Sequence, residues 1–312
     1  MMMKYALMLP FLLALASCSN TSETNAVDSV KNLADVDSLD YSDSVAPKEW
    51  PRVVLKTTAG NLTLALNPEQ KLHTENFLKL VKSKYYNGHL FHRVIKDFMI
   101  QSGDPKSVNA SPTAMLGDGG PNYVVPNEIK PNLYHFKGAL AAARQGDDVN
   151  PMKNSSGSQF FIVTGTLLDE MRLKQALEAQ AFENFKKDPA NQETILKGQA
   201  LSQAGNMAAL QELEQDVQKR MQPIIEKLYG EMPSEVKQRY AHWGGSASLD
   251  NNYTVFGKLV SGYHVLSAID AARAARMRNA GRADAAEERT RFALLLPPER
   301  RRATMLMAYK PF

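Results

Sequence analysis

Short strand-like runs, broken repeatedly by Gly and Pro, dominate much of this 312-residue chain and restrict its possible folds. The runs occupy residues 52–58, 61–66, 91–94, 98–101, 123–125, 138–143, 160–164 and 253–260. Many short strands at irregular spacing are typical of a barrel or sandwich. Ala59-Gly60, between the first two runs, predicts a hairpin. The chain is therefore expected to be mainly β.

Helical signals occur in two places. Thr74 is predicted to be the N-cap of a helix that buries Phe77, Leu78 and Val81. Residues 166–242 change in composition and carry apolar side chains every three or four positions, which predicts amphipathic helix. The members of this stripe are Leu210, Leu213, Val217, Met221, Ile224 and Leu228. We expect the stripe to pack on another helix or on the barrel; a surface for clients is the alternative. Pro223 should kink this helix or start a new one.

Charge is unevenly distributed and gives no sign of nucleic-acid binding outside the C-terminal tail. The net charge is +4, but residues 271–312 contain nine Arg and one Lys against four acidic residues, a local net of +6. The rest of the chain therefore sums to −2. Nucleic-acid binding normally needs a basic face, which is not indicated in that remainder.

The first eighteen residues read as an export signal. Lys4 precedes an apolar stretch over residues 6–16, which is too short for a permanent membrane span. Leu15-Ala16-Ser17-Cys18 resembles the bacterial lipoprotein box, and Cys18 is the only cysteine in the chain. We expect lipid on Cys18 to anchor the protein in the bacterial cell envelope, on the periplasmic side or the cell surface; an ordinary signal peptide is the alternative. The polar residues 19–48 would form a flexible tether.

Two longer stretches carry a family resemblance. Residues 91–104 read FHRVIKDFMIQSGD, and residues 157–164 read GSQFFIVT. Both resemble signatures of the cyclophilin family, as do 138–143 and 249–257, in the family's order. The resemblance implies a closed eight-stranded antiparallel barrel with two flanking helices, built from residues 49–165 and 243–270. The 166–242 segment would be an inserted helical arm.

The resemblance also implies a peptidyl-prolyl cis/trans isomerase. Its partners would be proline-containing unfolded or flexible polypeptides, and a monomer with neither cofactor nor metal is expected. Rotation about a peptide bond faces a barrier of ~18–20 kcal/mol, and no covalent bond changes. Catalysis therefore needs a pocket for the proline ring and a donor that favours the twisted amide. The alternative is a non-catalytic binding module that uses the helical insertion to hold clients.

Arg93 is predicted to be catalytic, because a permanently charged donor can bind the prolyl nitrogen once that nitrogen loses its resonance. The proline pocket is predicted to consist of Phe98, Met99, Phe161 and Leu249. By resemblance, Gln101 should orient Arg93 and bind the substrate carbonyl. Ala143 should line the adjoining pocket, and Gln159 with the backbone of Arg144 should hold neighbouring peptide groups. Tyr253 stands at the pocket where many family members carry His.

The Arg-rich tail, residues 271–312, departs from the family pattern. A final barrel strand is normally expected after residue 270, and none is present in familiar form. Either residues 304–309 supply it, or the reading frame changes beyond about Ala271, which we favour. Binding of the tail to anionic lipid is a third interpretation.

Overall fold

The computed structural model describes residues 46–111, 113–279 and 306–310 of the chain. The predicted signal peptide with Cys18, nearly all of the 19–48 tether and most of the 271–312 tail lie outside these described residues. Within the described ranges, no helix is both long and apolar enough to cross a membrane.

Ten strands and seven α-helices occur in the described ranges. The strands are β1 (Arg52–Thr57), β2 (Gly60–Leu66), β3 (Arg93–Ile95), β4 (Met99–Ser102), β5 (Val124–Val125), β6 (Ala139–Ala142), β7 (Ser155–Ser156), β8 (Phe160–Val163), β9 (Val255–Ser261) and β10 (Leu306–Lys310). The helices are α1 (Lys71–Lys82), α2 (Glu170–Ala176), α3 (Glu178–Lys187), α4 (Gln192–Gln203), α5 (Met207–Glu231), α6 (Ser234–Trp243) and α7 (Tyr263–Asn279).

The main sheet is antiparallel and open. Its strand order is β10-β1-β2-β9-β6-β8-β4-β3, and β5 pairs separately with β7. Seven strands of this order, β1-β2-β9-β6-β8-β4-β3, curl into a half-barrel. Strand β10 pairs with the outer edge of β1. The end strands β3 and β10 do not pair with each other in the described part of the chain. The prediction of a closed eight-stranded barrel is therefore wrong.

The strands at the ends of the sheet explain why it stays open. Strand β3 has only three residues, so it offers a short edge for further pairing. Helix α7 packs against β2 and β3, and α1 contacts β10. Covering a sheet edge with a helix is one of the ways in which proteins protect unpaired strands. Strand β10 overlaps residues 304–309, which supports the interpretation that this segment supplies the final strand.

The main core lies between the inner face of the curled sheet and the helices α1 and α7. Leu62, Leu64 and Leu66 alternate along β2 and are fully buried. They belong to one cluster with Phe77 of α1 and Leu266 of α7. The two-residue periodicity of a strand places these leucines on one face, which leaves the opposite face of the sheet for the site.

The helical insertion, α2 to α6, leaves the sheet after β8 and returns at β9. Its own core joins Ala181 and Phe185 of α3 to Met221 and Ile225 of α5. The predicted apolar stripe therefore packs on another helix of the insertion. This packing holds the helix on both sides of Pro223, and α5 continues through Pro223 as a single helix of 25 residues, so no new helix starts there.

The start of α1 also differs from the prediction. The helix begins at Lys71, with Gln70 as N-cap and no capping bond from a side chain. Thr74 lies inside the first turn, where its Oγ1 donates to the carbonyl oxygen of Asn67 at 2.7 Å. The prediction of Thr74 as the N-cap is therefore wrong, because its hydroxyl bonds back to the preceding loop instead.

Candidate active site

The apolar part of the candidate site is a second cluster, on the face of the sheet opposite the main core. The structure brings together the six apolar or aromatic residues predicted for the pocket and its rim. These residues are Phe98, Met99, Ala143, Phe161, Leu249 and Tyr253. Met99 and Phe161 are almost fully buried, whereas Phe98 and Tyr253 are partly exposed. An apolar surface with open aromatic edges can hold a proline ring without any polar group to desolvate.

Strand register explains why these residues meet. Met99 and Gln101 share a face of β4, and Gln101 lies opposite Phe161 on β8. Phe161 in turn lies opposite Ala141 on β6. The small side chain of Ala141 leaves space for a ligand above β6. The ring of Tyr253 stands edge-on to Phe161, with the two centroids 5.5 Å apart. The pocket is thus bounded by aromatic rings on two sides.

A chain of amide hydrogen bonds leads from a loop to Arg93. Gln159 Nε2 donates to the carbonyl oxygens of Gly117 at 3.0 Å and Gly119 at 2.6 Å. Its Oε1 accepts from Gln101 Nε2 at 2.9 Å. Gln101 Oε1 accepts from Arg93 Nη1 at 3.2 Å. Because both donors of Gln159 are used by the loop, the orientation of each amide along the chain is fixed.

Arg93 lies at the exposed rim of the pocket. It is directly opposite Gln101 in the β3–β4 pair, so backbone pairing brings the two side chains together. Its side chain is exposed, and it can therefore reach a bound polypeptide. The predicted orientation of Arg93 by Gln101 has this geometric basis. Gln159 is turned toward Gln101 and the loop, and its predicted contact with substrate stays a prediction.

The loop that fixes Gln159 is itself fixed by a residue that sequence reasoning missed. Asp104 is fully buried, and its Oδ2 accepts from the backbone nitrogens of Gly117 at 2.5 Å and Gly119 at 3.4 Å. Its Oδ1 accepts from the backbone nitrogen of Lys106 at 2.8 Å. A Cβ at residue 119 would overlap Asp104 Oδ1, so this close approach requires glycine. The signal in the sequence was the position of Asp104 at the end of the family-like stretch 91–104.

Arg144 closes the pocket beside Tyr253. Its guanidinium carbon lies 4.7 Å from the centre of the Tyr253 ring, a cation–π contact. Its Nε donates to the carbonyl oxygen of Asn252 at 2.8 Å, and Nη1 donates to Asp147. In the described ranges, the backbone of Arg144 makes no hydrogen bond to another backbone group. The predicted contact of this backbone with the peptide groups of a substrate stays a prediction.

A buried polar network supports the pocket from below. Asp250 Oδ1 accepts from the backbone nitrogen of His135 at 2.8 Å and faces its Nδ1 at 2.9 Å. Asp250 Oδ2 accepts from the Tyr240 hydroxyl at 2.7 Å. The His135 ring stacks on Phe161, with centroids 6.1 Å apart. Burial raises the pKa of the Tyr240 phenol well above 10.0, helped by the charge of Asp250, so this hydroxyl remains a donor.

Sequence reasoning missed this network. Asp250 stands in the family-like segment 249–257, but Tyr240 belongs to the helical insertion, where no motif marks it. The network ties α6 to the residue that follows Leu249, and thereby links the insertion to the pocket. Among the described residues, no group of three or more His, Cys, Asp or Glu is placed to hold a metal ion.

The fold and this site define a cyclophilin-type enzyme, and comparison with known proteins agrees. The family model described as cyclophilin type peptidyl-prolyl cis-trans isomerase/CLD matches residues 52–224, more than half of the chain. The chain therefore belongs to the cyclophilin family. Membership of this family confirms the predicted isomerase activity on X–Pro bonds of proline-containing peptides.

Individual relatives carry the same activity in their names. A Staphylococcus aureus (strain USA300) protein named as a peptidyl-prolyl cis-trans isomerase is 30% identical over 219 residues, covering 70% of this chain and 80% of that protein. A Streptococcus pyogenes protein named as a bifunctional phosphatase/peptidyl-prolyl cis-trans isomerase is 30% identical over 211 residues, covering 67% of this chain. The match spans only 32% of that longer protein.

Among solved structures, a cyclophilin type peptidyl-prolyl cis-trans isomerase from Cryptosporidium parvum aligns with a TM-score of 0.43 at 18% identity. The alignment covers 84% of this chain and 99% of that one.

Proposed function

We propose that Arg93 catalyses the isomerisation, with the apolar cluster holding the proline ring and the amide chain from Gln159 through Gln101 holding the guanidinium. The observation that carries this proposal is the hydrogen bond from Arg93 Nη1 to Gln101 Oε1, at 3.2 Å, on the rim of the pocket. A positioned donor costs little reorganisation when the reaction occurs.

The chemistry follows from the electronic change in the peptide bond. A planar amide nitrogen delocalises its lone pair and is a poor acceptor, whereas a twisted one has the lone pair on nitrogen. A guanidinium beside that nitrogen therefore stabilises the twisted state more than either planar isomer. Only such a difference lowers the barrier, because equal binding of ground and transition states does not.

The test is a protease-coupled isomerisation assay with the full chain and an X–Pro peptide. Arg93→Ala should lower kcat/KM by about 10²–10³-fold, as expected for the loss of one transition-state donor. Lys96→Ala is the matched control, since Lys96 is an exposed cation three residues further along. Equal rates for the Arg93 variant and the wild type would contradict the assignment.

We further propose that the enzyme acts on proteins folding outside the cytoplasm, anchored through lipid on Cys18. The Leu-Ala-Ser-Cys segment and its position after an apolar stretch support this localisation. Metabolic labelling with a radioactive fatty acid should mark the wild type and not Cys18→Ser, and only the wild type should stay with the membrane fraction. Equal labelling of both proteins would contradict the anchor.

Client holding by the helical insertion is a second candidate function. It is favoured by exposed large apolar side chains on the insertion: Met171 is 79% exposed, Leu196 63% and Met207 67%. Replacing these three by Ser should abolish suppression of client aggregation, while Arg93→Ala should leave that suppression intact. Full suppression by the triple variant would contradict this second function.

A further inference from the structure

A cavity of about 170 Å³ lies beside the proline pocket. Leu133, Ala139 and Val255 line it, and these three residues also belong to the apolar cluster of the pocket. The two sites therefore share a wall. Trp50, just before β1, also lines the cavity.

Three cationic side chains from separate elements line this cavity: Lys137 before β6, Arg239 on α6 and Lys258 on β9. No Asp or Glu of the described residues is among its lining, and none forms an ion pair with any of the three. Asp270 feels the charge of Lys137, but its carboxylate is hydrogen-bonded to the backbone nitrogen of Asp97 instead.

The cations are close enough to act on one another. Burial lowers the pKa of Lys258, and the nearby charge of Arg239 lowers it further. The guanidinium of Arg239 lies 4.4 Å from the centre of the Phe136 ring, which holds it at the cavity. Gathering like charges in a half-buried space is unfavourable unless an opposite charge offsets their repulsion.

We propose that this cavity binds a single oxyanion group, a phosphate or a carboxylate, between Arg239 and Lys258. Lys137 adds positive charge. Where the group is a carboxylate of a side chain, the apolar wall receives the carbons that carry it. The volume sets the size of the ligand, since sites for drug-sized molecules occupy about 300–1,000 Å³. A free anion and an acidic side chain of a polypeptide share this chemistry.

Tryptophan fluorescence gives a local readout, because the chain has two Trp and one of them, Trp50, lines the cavity. Inorganic phosphate is titrated into the full chain at constant ionic strength against chloride. The fluorescence change should saturate in the wild type and be lost in Trp50→Phe. Arg239→Gln and Lys258→Gln should each weaken the apparent Kd about tenfold, as for one charge-assisted hydrogen bond.

Lys197→Gln is the matched control, because it removes the same charge from an exposed position on α4. Arg239→Lys keeps the charge and should retain most of the binding. The isomerase rate on a proline peptide without acidic residues, which none of these substitutions should change, shows that each variant is folded.

The second arm separates the two sources of the anion. Proline peptides that differ only in Glu or Gln at flanking positions are compared as substrates. A preference for Glu peptides that disappears in Lys258→Gln identifies an acidic polypeptide, whereas saturable phosphate binding without such a preference identifies a free anion. The proposal is overturned if phosphate does not bind and if no Glu preference depends on Arg239 and Lys258.

Discussion

Removal of the Tyr240 hydroxyl should expose how strongly the helical insertion supports the pocket. Tyr240 is fully buried, and Asp250 is 4% exposed. In Tyr240→Phe the ring stays in place, but Asp250 Oδ2 loses the hydroxyl that donates to it at 2.7 Å. Asp250 would keep its two contacts to His135, both on the other oxygen.

The expected cost follows from the burial of the carboxylate. A hydrogen bond to a charged group contributes about 1.5–3 kcal/mol, and a buried acceptor left without a partner loses at least that order of free energy. We therefore expect Tyr240→Phe to lower the free energy of unfolding by about 1.5–3 kcal/mol. The KM for a proline peptide should also rise, because the His135 ring that Asp250 orients stacks on Phe161.

Urea unfolding of the full chain measures this difference, with Tyr134→Phe as the control. Tyr134 is only partly buried in the same cluster, and its hydroxyl makes no hydrogen bond within the described ranges. Its substitution should change stability by less than about 0.5 kcal/mol. If Tyr240→Phe costs no more than Tyr134→Phe, the argument that Asp250 depends on this hydroxyl is refuted.

Three further predictions concern the amide chain, the loop and pH. Gln159→Leu breaks the chain of hydrogen bonds that holds Gln101. It should lower kcat at least tenfold, which corresponds to about 1.4 kcal/mol of transition-state stabilisation, with a smaller change in KM. An unchanged kcat in single-turnover assays would contradict this prediction. Gly119→Ala forces a Cβ against Asp104 and should cost about 1–3 kcal/mol in urea unfolding, so a neutral result would contradict the close approach. Burial lowers the pKa of His89 and His92 below 6.5, outweighing the charge of Asp104. On acidification the unfolded chain therefore takes up protons before the folded chain does. The free energy of unfolding should be constant above pH 6.5 and fall below it by up to about 1.4 kcal/mol per pH unit for each ring. A free energy of unfolding that does not change on acidification would contradict this prediction.

Local features of the fold were predictable from the sequence because they depend on neighbouring residues. The alternation in 52–58 and 61–66 around Ala59-Gly60 predicts a hairpin, and β1 and β2 form one. The predicted pocket residues lie together because alternation along β4 and β8 places Met99 and Phe161 on the same face.

Features that depend on distant residues were not predictable. Tyr240 and Asp250 are ten positions apart, and His135 is 115 positions from Asp250, so no local pattern joins the network. The same reason applies to the closure of the sheet, which depends on whether its two end strands reach each other. Asp104 could be read as part of a motif, but its bonds to the Gly117 and Gly119 nitrogens required the folded loop.

The most direct measurement of the central claim separates binding from catalysis at Arg93. NMR exchange spectroscopy of a proline peptide reports its cis–trans exchange on the enzyme, while chemical-shift titration of the same sample reports affinity. Arg93→Lys, which keeps the charge but loses the guanidinium fork, should slow exchange at least tenfold while affinity changes little, since only the transition state uses the donor. Wild-type exchange in this variant, or a loss of affinity as large as the loss of rate, would contradict the assignment of Arg93 as the catalytic residue.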